Sequence, residues 1–206
     1  RGNFYTAYRI HNYHFVAYGA MWEGRRALAL EYARAIPVEI PTELLQAVPD
    51  LFDVFHATHY HVMVRFGMWD ELIDEPDPGD SEELAATRAV WCYARALAFA
   101  ALDRVDEAEE QQAKFARARS AVPESRMLFN NPVAEILAVA DAFLEGEIEY
   151  RKGNHDVAFA KLREAVVLDE KLNYDEPWGW MEPTRHALGA LLTEQGRHQE
   201  AIAVYR

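Results

Sequence analysis

One phrase recurs five times along the chain and limits what it can fold into: MWEGRRALAL, VRFGMWDELI, AALDRVDEAE, YRKGNHDVAF and TEQGRHQEAI. In each copy a helical stretch runs into a turn residue, and a second helical stretch follows, with an Ala or Leu five residues beyond the turn. The turn residues are Gly24, Gly67, Asp103, Gly153 and Gly196. Glycine suits the end of a helix because it reaches positive φ without a Cβ penalty. Aspartate tolerates that conformation better than most side chains, so Asp103 is an imperfect but workable copy. The pattern predicts paired helices joined by tight turns. Period-2 alternation does not persist anywhere, so no sheet is expected.

The pairing resembles the tetratricopeptide repeat, a helix–turn–helix unit of about 34 residues. With Gly196 on the repeat's turn glycine, Leu188 and Gly189 fall on its Leu-Gly pair, Ala201 on its small position and Tyr205 on its aromatic one. The same offset from Gly24 places Tyr13, Val16 and Ala17 on packing positions and Pro41 on the terminal proline. From Gly153 it places Gly146, Ala158 and Ala165 on small or packing positions. HNYHF, RFGMWDE and YDEPWGWMEPTRHALGALL together resemble a group of bacterial tetratricopeptide-repeat proteins to which no activity is attached. The resemblance implies an all-α, right-handed α-solenoid of helix pairs, each pair burying its face against its neighbours.

Units are expected near 10–43, 53–86, 89–122, 139–172 and 182–206, within a single domain over 1–206. The turns lie further apart than a regular repeat allows, so inserts are expected between units. EPDPGDSEE, SAVPESRMLFNNP and NYDEPWGWMEP read as those inserts. The chain reads as a piece of a longer one, and a signal peptide upstream of Arg1 stays open.

The formal net charge of −13 excludes the basic surface that nucleic-acid binding needs and disfavours anionic membranes. The longest apolar run is interrupted by Arg95, so no membrane span is expected. With a single cysteine, Cys92, no disulfide framework exists, and a cytoplasmic location fits. Cys92 lies in AVWCYARAL on a packing position and reads as a small hydrophobe.

In the repeats that the chain resembles, a fixed set of first-helix positions lines a concave groove. Carried over by offset, that set gives His11, His14, Tyr18, Met21 and Trp22 in the first unit. It gives Val54, Ala57, His61, Val64 and Arg65 in the second, and Pro183, His186, Ala190, Thr193 and Glu194 in the last. The expected groove site is therefore His11, His14, Tyr18, Trp22, His61, Arg65, His186 and Glu194. Trp178 and Trp180 stand in one short loop with Asp175, Glu176 and Glu182, and read as an aromatic wall with an acidic rim. EGEIEYRKG and DEAEEQQ read as solvated, charge-rich helix faces. His56 and His59 fall on packing positions, and His155 and His198 at the surface.

Two functions follow. The first is a binding scaffold whose groove holds a peptide, a protein or a small ligand, with no catalytic residue and no cofactor. The alternative is a metal-binding protein or metal-dependent enzyme, with a transition ion held by His11, His14 and His61 and Glu194 as acid or base. No HExxH, paired CxxC, phosphate loop or nucleophile elbow supports it.

Overall fold

A computed structural model describes residues 4–206 and is all-helical. Among the described residues the only strands are β1 (Met127–Leu128) and β2 (Asn131–Pro132), a minimal antiparallel hairpin. Five helix pairs carry the chain: α1 (Phe4–Trp22) with α2 (Arg26–Glu39), α5 (Thr58–Arg65) with α6 (Trp69–Asp74), and α7 (Ala85–Ala101) with α8 (Val105–Ser120). They continue with α9 (Val133–Arg151) and α10 (His155–Asp169), then α11 (Thr184–Glu194) and α12 (His198–Val204). Short helices α3 (Thr42–Ala47) and α4 (Pro49–Phe52) link the first pair to the second.

All five turn residues adopt positive φ, from 59° at Asp103 to 80° at Gly153. Each turn closes with the same backbone hydrogen bond. The amide of the residue after the turn donates to the carbonyl five residues back, as Arg104 does to Phe99 at 2.9 Å and Arg197 to Leu192 at 2.8 Å. This is the Schellman arrangement, which satisfies carbonyls left over at a helix end. The recurring phrase is thus a recurring helix stop.

Small residues let the paired helices approach. Ala17, Ala29 and Ala33 pack together between α1 and α2, and Ala96 and Ala108 are fully buried on α7 and α8. Consecutive pairs then stack: α2 on α5, α7 on α9, and α10 on α11.

Two helical glycines sit where no Cβ fits. A Cβ on Gly146 would lie 2.7 Å from Leu162 Cγ and 3.1 Å from the Leu162 backbone nitrogen. One on Gly189 would strike the ring of Tyr205. The two contacts differ in how they can yield. Leu162 is fully buried, whereas Tyr205 is exposed near the end of the chain and its ring can swing out. Gly146→Leu should therefore cost about 1–3 kcal/mol through overpacking, and Gly189→Leu less than about 1 kcal/mol. Equal shifts of the urea midpoint would contradict this account of the two contacts.

The second unit departs from its expected single helix. α4 stops at Phe52, a 3-10 turn covers Val54–Ala57, and α5 then begins. The cause is Asp53, buried at that break. Its carboxylate accepts from the Ala86 amide (2.8 Å) and the Thr87 amide (2.9 Å), at the exposed N–H end of α7. Arg126 closes the node from the loop after α8: its Nε lies 3.1 Å from Asp53 and its Nη1 2.6 Å from Asp50, and it also donates to the Glu82 carbonyl.

Candidate functional site

The expected groove residues lie along the first helices α1, α5 and α11, and several meet. Trp22 of α1 stands edge-on to His186 of α11, with ring centroids 5.5 Å apart. Tyr18 packs against Trp22. His14 lies close enough to His61 and His11 for their charges to oppose its protonation. The carried-over offset thus brings the first and last units face to face.

What fills the space between them corrects the expectation of an open groove. The segment Trp180–Met181–Glu182, from the loop between α10 and α11, is seated there and buried. Trp180 packs edge-on to Tyr93 at 5.3 Å and to His61 at 5.2 Å. Met181 Sδ lies 3.3 Å from His14 Nε2. Glu182 accepts from His61 Nδ1 at 2.8 Å, and the Tyr93 hydroxyl approaches its other oxygen at 3.5 Å. His14 is sealed further by Phe55 and Phe129, and burial pushes it down to about 3. His11 is half-buried against Phe15 and Phe129.

The expected aromatic wall with an acidic rim is likewise corrected. Trp180 is interior, and Trp178 donates from Nε1 to Asp169 at 2.8 Å. Asp175 accepts from the side chains of Asn130 and Asn131, Glu176 from the Tyr174 hydroxyl, and Glu182 pairs with His61. Asp175 thus ties the loop to the β1–β2 hairpin and Glu182 ties it to α5, while Glu176 bonds within the loop. The hairpin also holds the base of the loop through Asn131 Oδ1, which accepts from the Asn173 amide at 2.7 Å.

His11, His14 and His61 do not converge as a ligand set. Among the described residues no group of three or more His, Cys, Asp or Glu is placed to hold a metal ion. His61 spends Nδ1 on Glu182, and His14 faces a thioether. His56 and His59 pack at the α4–α5 break, and burial pushes His59 down to about 4. Burial also pushes the Cys92 thiol up to about 11, so it is neutral near pH 7. Cys92 floors a wider cleft of about 660 Å³ between α7 and α8, whose rim charges are mostly exposed.

One part of the inter-helix face stays open, a cavity of about 270 Å³ between α5, α7, α9 and α11. Val64, Leu97, Phe143, Ala187 and Leu191 form its apolar wall, with Trp69 at one side. Arg65, Glu147, Arg151, Glu182 and His186 supply its charge and polarity. Many of these side chains stand six, three or two residues ahead of a turn: Val64 and Arg65 before Gly67, Leu97 before Asp103, Glu147 and Arg151 before Gly153. Arg65 and His186 belong to the expected site. Glu194 lies on the same helix as His186, outside the cavity wall, and its charge acts on Glu147.

Glu147 is the unanticipated member. It is 7% exposed and has no hydrogen bond, and its nearest cation, Arg151 Nη2, is 4.0 Å away. Burial, aided by the Glu194 charge and opposed by Arg151, pushes its carboxyl up to about 7. A buried acid without a hydrogen-bond partner is costly to a fold. Here it borders an apolar cavity, where a ligand can supply the missing partner. Glu147 and Glu182 both border the cavity, and both act on the Tyr93 hydroxyl, whose ionisation they oppose.

No helix among the described residues is long and apolar enough to cross a membrane. No protein-family model, curated protein or solved structure matches this chain.

Proposed function

We propose that the chain is a right-handed, tetratricopeptide-like helical-repeat scaffold that works by binding, with the cavity between α5, α7, α9 and α11 as its site. The size of the cavity, about 270 Å³, suits a small ligand or one side chain of a peptide rather than an extended segment. The rest of the groove is taken up by Trp180, Met181 and Glu182. The observation that carries this reading is Glu147, a carboxyl without a hydrogen-bond partner on the wall of a largely apolar cavity. Such pockets combine an apolar wall with a few placed polar groups that orient the ligand. A cytoplasmic setting fits the single buried thiol of Cys92.

Methyl-resolved NMR with a small-molecule fragment set tests the reading. Bound fragments should shift the methyl signals of Val64, Leu97, Ala187 and Leu191. Ala190→Trp, which projects an indole into the cavity from its exposed lip, should abolish those shifts while the rest of the spectrum stays folded. Shifts that cluster elsewhere, or that survive Ala190→Trp, would contradict the assignment of the site.

A further inference from the structure

We propose that the ligand of this cavity carries an alkylammonium group, seated against Glu147 with its apolar stem along Leu97, Phe143 and Leu191. This rests on the reading of the cavity as the binding site. Two observations choose a cation over an anion. The first is the state of Glu147: nine-tenths buried, bordering the cavity, without a hydrogen bond, and 4.0 Å from its nearest cation. A carboxylate so placed, with only a long contact to Arg151, gains more from an arriving ammonium than one in a close, hydrogen-bonded pair would. The second is the company it keeps. Glu182 borders the same cavity, and both acids act on the Tyr93 hydroxyl. An anion seated there would face two carboxylates. Of the two cations on the cavity wall, Arg65 is exposed to solvent, where ion pairing contributes little, and Arg151 already stands between Glu147 at 4.0 Å and Asp103 at 3.9 Å.

The charged and titratable groups acting with Glu147 are Arg151 of its own helix, Glu194 of α11 and Tyr93 of α7, and Glu182 from the loop, His186 of α11 and Arg65 of α5 border the same cavity. Tyr93 stays neutral, and burial together with Arg65 lowers the His186 pKa. Acidification therefore neutralises Glu147 from about 7 downward. A cation should bind more tightly as pH rises through that range and should release a proton on binding below it. An anion would show the opposite slope.

The probes are n-pentylammonium, 1-pentanol and pentanoate, added to the wild-type chain and followed by methyl NMR and calorimetry. Nα-acetyl-lysine methylamide serves as a fourth probe, for an ammonium delivered by a peptide side chain. Pentylammonium should bind about tenfold more tightly near pH 8.5 than near pH 5.5, because an ionised Glu147 is its partner. 1-Pentanol should show no slope. Glu147→Gln should lose about tenfold in pentylammonium affinity at the higher pH and lose the slope. His186→Gln should keep it. Tighter binding of the lysine amide than of pentylammonium would assign the ammonium to a peptide side chain, and the reverse to a free amine.

The proposal is overturned if pentanoate binds with the acid-favoured slope, or if Glu147→Gln leaves pentylammonium binding unchanged. Pocket shifts with 1-pentanol or pentanoate but none with pentylammonium would refute the ammonium and keep the pocket. Pocket shifts with no probe at all would refute both.

Discussion

Trp180→Ala should cost about 3–5 kcal/mol, the range for truncating a large buried aromatic. The indole is 1% exposed and wedged between the rings of Tyr93 and His61. It joins the loop before α11 to α5 and α7, so its loss leaves a void at the meeting point of three units. Trp22 is the internal comparison. It is 47% exposed and touches mainly Tyr18 and His186, so Trp22→Ala should cost under about 1 kcal/mol. Urea denaturation of the two variants checks the contrast. Comparable losses would mean that Trp180 is not seated in the groove.

Arg126→Ala should be equally damaging, at about 3–5 kcal/mol, because it strips the counter-charge from a buried carboxylate. Arg126 is 2% exposed and Asp53 fully buried. Burial raises the Asp53 pKa even though the amides of Ala86 and Thr87 and the Arg126 charge all favour its ionised form. The pair therefore contributes little net stability when intact, yet is expensive to break. A double-mutant cycle with Asp53→Asn should show strong coupling, since the two side chains share one node. The double variant should lose clearly less than the sum of the singles. Additive losses, or an Arg126→Ala penalty below about 1 kcal/mol, would contradict this.

The helix pairs were legible in the sequence because their cause is local. A positive-φ residue and the close approach of small side chains leave a periodic trace at Gly24, Gly67, Asp103, Gly153 and Gly196. The contents of the groove were not, because no periodic signal tells where a loop of eleven residues such as NYDEPWGWMEP comes to rest. The offset placed His14 and His61 on the inner face but could not show that Met181 and Glu182 would meet them there. Arg126 was hidden in a connection that reads as polar surface. Glu147 was hidden in EGEIEYRKG, which reads as a solvated face. One signal did exist for it: the offsets of six and two residues that picked out His61 and Arg65 before Gly67 also pick out Glu147 and Arg151 before Gly153.

Seating of the loop in the groove governs which part of the face stays open, and His14 reports on it directly. Burial against Met181, Phe55 and Phe129 lowers its imidazole from 6.5 to about 3. The unfolded chain takes up the His14 proton below about pH 6.5 while the folded chain does not. Stability owed to this group is thus complete above that pH and falls away as acidity carries it toward the folded value. The direct measurement is an NMR pH titration of the imidazole signals, with His14 assigned through His14→Gln. The plugged groove predicts a His14 signal that stays neutral from about pH 8 down to about pH 4. A His14 that titrates near 6.5 would mean that Trp180, Met181 and Glu182 do not occupy the groove.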